Sequence, residues 1–376
     1  MSNKKLHILF LTGWYPSRVL PINGDFVQRH AEAVATQHRV SVVHVITDPS
    51  LQTPYEIQIN HTDSLTEYIG FIKKTLNPFY KLYLFFQVYT RIFKKIDPYD
   101  LIHVNKLYPS GIVALVMKFF RSKSFLITEH WSGYQQPQCS QIPLIEKSIS
   151  KLIAKKASYI CPVSAHLGES MRAFGLKGRY QPVPNVVMTN IFVPKRKKQH
   201  RLTLLHVSSL YDEVKNITGI LNTLGNLKKQ GFDFFTYFVG GPDTTFKKTI
   251  QKNNLNGKDI QFIDFVSQKD LAPYLQQSDA LLLFSHYENL PCVILEAFSS
   301  GLPVIATNVG GISEYFPDDF GILIPANDEK KLALAIQSVS TKQWATPDAM
   351  HQYALANFSP KKIAADFDTL YKKTLN

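Results

Sequence analysis

Two glutamates, Glu288 and Glu296, stand with seven residues between them in HYENLPCVILEAFSSGLPVIATNVGG, residues 286–311. The residues between them are almost all apolar. Pro291 fits the first turn of a helix, where its missing N–H costs nothing. Gly301 with Pro303 beyond it fits that helix's end. Glu288 is therefore expected in the loop before a helix and Glu296 inside it, with the free N–H groups of residues 289–293 between the two carboxylates. A helix start attracts anions through its amides and its dipole. Carboxylates bind vicinal hydroxyls through charge-assisted hydrogen bonds. The order hydroxyl acceptor, anion cradle, hydroxyl acceptor suits a nucleotide-sugar: sugar at Glu288, diphosphate at the amides, ribose at Glu296. Each glutamate alone also reads as an ordinary solvated helix residue. Leu295, Ala297 and Phe298 around Glu296 favour a buried carboxylate, which needs partners.

Such a pair has to be held by a rigid frame. Short apolar runs alternate with helical patterns along the whole chain. In the first half the strands read as LHILFLT, RVSVVHVIT, DLIHVN, SFLITEH, YICPVS and YQPVPN. In the second half they read as LTLLHVSS, DFFTYFVG, IQFIDFV, ALLLFS, LPVIAT and GILIPA. Continuous rather than alternating hydrophobicity implies parallel strands covered on both faces. The β–α alternation occurs twice, on either side of a basic segment containing Pro194, so the pattern gives two doubly wound α/β domains. The first spans residues 1–190, a basic linker 191–201, and the second 202–356, with a closing helix over 357–376. Ligands of such sheets bind beyond the carboxyl ends of the strands, and a crevice between the domains is the expected site.

The 376 residues, 45% hydrophobic and 19% charged, describe a globular chain. No apolar run approaches the ~20 residues of a membrane-spanning helix. Lys4 and Lys5 precede an apolar run that stops at Gly13 and Trp14 with no small-residue cleavage site, which reads as a first strand. Cys139, Cys161 and Cys292 fit no metal or disulfide spacing, as in a reduced cytoplasmic setting. Charge is uneven: net +11 over residues 1–190, +5 over 191–201 and −3 over 202–376. A basic first half suits an anionic partner such as a lipid surface or lipid diphosphate, and solubility alone explains it equally well. Nucleic acid is not expected, because the basic residues accompany no recognition motif. Residues 78–96, PFYKLYLFFQVYTRIFKKI, form an aromatic, basic helical stretch that reads either as a helix packed on its sheet or as one lying on a membrane surface.

ENLPCVILEAFSSGLPVIATNVGGISE resembles the donor-site signature of the retaining glycosyltransferases of family 4, an E-x7-E motif followed by E-A-x-x-x-G-x-P-V-I. LLHVSSLYDEVKNI (204–217) is similar to the family's segment with a diphosphate-binding lysine, here Lys215. YFVGGPD, VSAHLGESM and FSPKKIAADFDTLYKK follow the family's order. The resemblance covers nearly the whole chain and is weakest over 50–95. It implies the GT-B fold, two doubly wound Rossmann-like domains facing each other across a cleft, with the last helix crossing back to the first domain.

Carried over by position, the resemblance implies Glu288 at the transferred sugar and backbone amides near Asn289 and Leu290 at the sugar and distal phosphate. It puts Glu296 at the ribose, Lys215 at the diphosphate and the base against Phe265 and Val266. Gly24 corresponds to the first domain's glycine loop and is expected among the donor-binding residues, its missing side chain letting phosphate and acceptor approach a helix start at Asp25; an ordinary turn glycine is the alternative. Gly310, Gly311 and Glu314 fall in the last donor loop. Three positions depart from the family pattern. Ser208 and Ser209 stand where many members carry an arginine, so Ser209 is expected to help Lys215 at the phosphates. Asn105 replaces the second histidine of His-x-His, and Asn105-Lys106 is similar to lipopolysaccharide-core glucosyltransferases. PNVV replaces Pro-Asn-Gly-Val. His130, in TEHW, falls at a strand's carboxyl end; a structural role and a catalytic one are evenly matched there.

The expected reaction is hexosyl transfer, with retention, from a nucleoside-diphosphate sugar, UDP- or GDP-linked. The acceptor is expected to be a saccharide, lipid-linked and met at the inner membrane face during surface polysaccharide synthesis. No metal or cofactor is expected, and no side chain stands out as a nucleophile. The alternatives are a non-catalytic nucleotide-binding scaffold of a polysaccharide-assembly complex and a nucleotide-sugar 2-epimerase.

Overall fold

The computed structural model describes residues 5–195 and 201–375. Val187–Ser359 forms one compact unit; the residues before it, together with those from Pro360 onward, form the other. The first unit holds β1 (His7–Thr12), β2 (Arg39–Asp48), β3 (Tyr55–His61), β4 (Leu65–Lys73), β5 (Leu101–Asn105), β6 (Phe125–Glu129) and β7 (Ile160–Pro162). The second holds β8 (Leu202–Val207), β9 (Phe234–Val239), β10 (Ile260–Ile263), β11 (Ala280–Leu283), β12 (Val304–Thr307) and β13 (Gly321–Ile324).

The second sheet has the order β10-β9-β8-β11-β12-β13, parallel throughout. The first has the order β3-β4-β2-β1-β5-β6-β7, parallel except for β3. Strands β1, β5, β6, β7, β11 and β12 are buried along their whole length, as continuous apolar runs require. In each sheet the winding reverses between two neighbours, β1 and β5 in the first unit and β8 and β11 in the second. Ligands of such sheets bind beyond the carboxyl ends of those neighbours, where the chain turns to opposite sides of the sheet.

Three expectations are corrected. Residues 55–73 form an antiparallel hairpin, β3 with β4, that the sequence pattern does not announce. As the sheet's edge, β3 keeps polar Glu56, Gln58 and Asn60 and is mostly exposed, so it lacks the apolar run of a central strand. YQPVPN is not a strand. A single bridge joins Tyr180 to β7; the Gln181 and Val183 amides donate to Ile160 O and Pro162 O at 2.9 and 3.0 Å, and Pro162 has no N–H with which to continue the ladder.

The third correction concerns the join. Residues 187–195 belong with the second unit: the Val187 amide donates to Phe358 O at 2.9 Å, and the Ser299 hydroxyl donates to Phe192 O at 2.6 Å. Phe192 is fully buried, which a solvated linker would not permit. Residues 196–200 of the expected basic linker lie outside the described residues. The helix Pro360–Leu375 is part of the first unit, and it buries Ile363, Phe367, Leu370 and Tyr371 along one face. There the Tyr371 hydroxyl meets His103 Nδ1 at 2.7 Å.

Candidate active site

In the second unit, both loops at the reversal carry charge. After β8 the chain passes Ser208 and Ser209 into a four-residue helix, Asp212–Lys215. After β11 it passes Ser285 and His286 to Glu288. The His286 amide donates to Val214 O at 2.8 Å and fastens one loop to the other. Lys215 Nζ then forms an ion pair with Glu288 Oε1, and both side chains are largely buried. Ser285 Oγ donates to the same Glu288 oxygen at 2.7 Å. Thr307, at the end of β12, holds Ser285 O at 2.7 Å. The pair thus rests on three adjacent strand ends.

Gly310 lies against the backbone of the Glu288 loop. It adopts φ +61°, and a Cβ there would lie 1.9 Å from Glu288 O, so only glycine fits. The Gly311 amide donates to Asn289 O at 2.8 Å. Leu290 is buried. Pro291 is the cap of the helix Cys292–Ser299 rather than a residue of its first turn. Gly301 ends that helix in the left-handed region, as expected, with Leu302 N returning to Ala297 O at 2.9 Å. Glu296 is buried between Leu295, Ala297 and Phe298.

The remaining donor-site expectations fall at the rim. Ser209 is exposed. Ser208, its neighbour, is employed structurally: its hydroxyl meets His206 Nε2 at 2.7 Å and accepts from the Leu210 amide at 3.0 Å. Phe265 is exposed and Val266 half-buried, past β10 and one strand beyond β9 from the reversal.

In the first unit, the reversal lies between β1 and β5. Gly24 adopts φ +78° ahead of the helix Asp25–Ala35, and a Cβ there would lie 2.5 Å from the Trp14 carbonyl carbon. That close approach pins the glycine loop to the end of β1. Asn105 ends β5 fully buried, and among the described residues neither atom of its amide finds a hydrogen-bond partner. His130, just past β6, packs tilted against the rings of Phe26 and His30, with centroids 4.6 and 5.3 Å away. Burial holds the His130 and His103 imidazoles well below the usual histidine range. Both are neutral near pH 7.

Sequence reasoning named Lys106 only beside Asn105 and missed the residues around it. Lys106 Nζ lies 4.1 Å from the Trp14 ring centroid and 5.3 Å from that of Trp131. Burial lowers its pKa. Gly13 makes room for the Lys106 stem, since a Cβ at Gly13 would lie 3.0 Å from Lys106 Cδ. Glu129, fully buried, accepts from the amides of Leu107, His130 and Trp131 at 2.8, 2.9 and 2.9 Å. That carboxylate folds both strand-end loops around it. Their common signal was position: each follows the carboxyl end of an apolar run.

A sucrose-phosphate synthase from Thermosynechococcus elongatus superposes with a TM-score of 0.79 at 21% identity, covering 98% of this chain and 99% of that one. Anabaena Alr3699/HepE in complex with UDP-glucose superposes with a TM-score of 0.72 at 16% identity over 98% and 100% of the two chains. The two doubly wound units and their strand-end crevices define a protein of the GT-B fold. The model described as Glycosyltransferase Family 4 matches residues 25–190, and that described as Glycosyl transferases group 1 matches residues 187–356. This chain belongs to the family 4 glycosyltransferases. A probable sucrose-phosphate synthase of Thermosipho melanesiensis is 28% identical over 247 residues, 61% of this chain and 57% of that relative. The match thus spans little more than half of that relative's length.

Proposed function

We propose that the chain moves a hexose from a nucleoside-diphosphate sugar, UDP- or GDP-linked, to a saccharide acceptor with retention of anomeric configuration. The observation that carries this reading is the Lys215–Glu288 pair at the β8/β11 reversal, beside the start of the helix that holds Glu296. A diphosphate entering there takes Lys215 as counter-ion and frees the Glu288 carboxylate for the hydroxyls of the sugar. Glu296 takes the ribose. As the bond from the anomeric carbon to the phosphate oxygen breaks, Lys215 meets the charge that develops on the leaving group. The acceptor oxygen attacks from the same face, and its proton passes to the departing phosphate. The protein supplies position and field. Asn105 and His130 belong to the acceptor side, and Gly24 lets both the donor phosphate and the acceptor approach the helix start at Asp25. We take the acceptor as a lipid-linked saccharide at the inner membrane face, on the strength of the basic first half.

Melting temperatures with UDP, GDP, ADP and CMP test the donor class. One nucleotide at a hundredfold excess over its Kd adds about 2.7 kcal/mol, and Lys215→Ala removes the shift. No shift with any nucleotide would overturn the donor reading. The anomeric proton coupling of the product reports retention. Transfer to soluble sugars with none to lipid-linked ones would overturn the acceptor.

A further inference from the structure

The helix Pro78–Phe93 carries two apolar stripes on opposite sides. Leu84, Val88 and Ile92 are buried against the sheet, with Val88 seated on Gly70 of β4. The other stripe, Phe79, Leu82, Tyr83 and Phe86, is exposed, Phe79 to 82%. A helix on a globular surface turns its polar side outward, and this one presents a second apolar stripe there instead. Asn77 caps it by accepting from the amides of Phe79 and Tyr80 at 3.0 and 3.1 Å, with Pro78 in its first turn. Its geometry is therefore set within the unit.

The neighbouring helices repeat the pattern. In Ser110–Arg121, Phe119 and Phe120 are exposed, Phe120 to 83%; in Leu144–Lys156, Leu144 and Ile145 are, Leu144 to 81%. These two helices pack together where Ile153 meets Gly111. All three lie on one side of the sheet. They connect β4 to β5, β5 to β6 and β6 to β7, always in the same direction along it, and such crossovers are right-handed. The charged residues among the apolar ones are nearly all cationic: Lys81 and Arg91 in the first helix, Lys118 and Arg121 in the second, Lys147, Lys151, Lys155 and Lys156 in the third. Across the three helices Glu146 is the only carboxylate.

We propose that this three-helix face docks on an anionic phospholipid surface, with the aromatic and aliphatic side chains at the acyl boundary and the lysines among the headgroups. Exposed apolar side chains ringed by cations match an anionic bilayer in both polarity and charge. A protein partner would have to supply an apolar surface edged with acid. The inference deepens the membrane-side placement proposed above and rests on it, and its test does not depend on transfer.

The full chain is sedimented with vesicles of phosphatidylglycerol and phosphatidylethanolamine, and with phosphatidylcholine alone. Partition onto the anionic vesicles is expected, weakening steeply with salt. Phe79→Ser combined with Phe120→Ser reduces it at least tenfold and leaves the nucleotide-induced melting shift in place. Lys81→Gln and Lys151→Gln each cost about fivefold. Equal partition onto phosphatidylcholine, no partition at any anionic fraction, or anionic partition untouched by the aromatic substitutions would overturn the proposal. So would a dimer in light scattering that the aromatic substitutions dissolve, since a second copy would then cover the face.

Discussion

The two units reverse their winding at equivalent places and put a lysine at each, yet the two lysines are satisfied differently. In the second unit Lys215 from beyond β8 meets Glu288 from beyond β11 in an ion pair. In the first, Lys106 from beyond β5 lies against the indoles of Trp14 and Trp131. Among the described residues no carboxylate lies within ion-pair distance of Lys106. An ion pair can be exchanged for another: on the proposed reading an incoming diphosphate would replace one anion by a stronger one and set the carboxylate free. Aromatic walls around a cation suit the apolar faces and hydroxyls of a saccharide. The fold fixes where a ligand sits, and the strand-end residues decide which ligand.

The sharpest way to break this comparison is to neutralise one crevice and ask whether the other notices. Glu288→Ala should lower kcat/KM for transfer about 10³-fold, in the range seen when a charge-positioning group is lost from an active site. Nucleotide binding should survive, because Lys215 keeps its charge. If transfer fell less than tenfold, the second unit's pair would not be the reacting centre. A near-normal KM for the acceptor is expected alongside the fall in kcat.

Acid should separate the units next. Burial lowers His30 and His44 to about 4 and holds His103 and His130 well below the ordinary value, all in the first unit. In the second unit burial lowers His206 to about 3. An unfolded imidazole takes a proton near 6.5, so between 6.5 and about 4 the unfolded chain binds more protons than the folded one. Stability is therefore complete above pH 6.5 and falls as pH drops through that window, by about 1.4 kcal/mol per unit for each such histidine. The first unit, with several, should weaken faster. Its tryptophans are Trp14 and Trp131, and Trp344 lies in the second. Fluorescence melts of Trp344→Phe and of the Trp14→Phe, Trp131→Phe double variant at pH 7 and pH 5 report the units separately. Equal losses would refute the difference.

These differences were unequally visible in the sequence. The central strands were legible because burial on both faces demands unbroken apolar runs. The β3–β4 hairpin was not, because an edge strand tolerates Glu56, Gln58 and Asn60. Glu288 and Glu296 stood out as charges inside an apolar stretch, and Lys215 emerged only through its resemblance to the family's segment. Apart from the Asn105-Lys106 dipeptide, the group around Lys106 left no local pattern: its members lie at or just past the ends of β1, β5 and β6, and only the sheet order brings them together. The join was misplaced for a similar reason, since Phe192 owes its burial to contacts with a distant helix.

Glycine provides a finer test, because each crevice has one that its neighbours require. Gly310→Ala and Gly24→Ala both force a Cβ onto backbone atoms at positive φ, at a cost of about 1–3 kcal/mol each. Gly310→Ala should displace the Glu288 loop and shrink the UDP-induced melting shift. Gly24→Ala should lower transfer while the UDP shift persists. Loss of the shift in both variants would mean that the glycine loop of the first unit also shapes the nucleotide site.

The smallest expected effect concerns the helix that follows the second unit and folds into the first. The buried His103 ring is held from both sides, by Thr128 Oγ1 at 2.6 Å and by Tyr371 Oη at 2.7 Å. Tyr371→Phe keeps the ring, which packs 6.0 Å from Phe367, and removes only the hydroxyl. One imidazole nitrogen is then left buried without its partner, a loss of about 1–2 kcal/mol. The counterpart in the second unit is Ser208, whose hydroxyl meets His206 Nε2, so Ser208→Ala should cost a similar amount there. Tyr371→Phe should lower the melt followed by Trp14 and Trp131 and leave that of Trp344 in place; Ser208→Ala should do the opposite. If both substitutions moved both signals together, the chain would melt as one cooperative body, and each histidine would be stabilising the whole of it.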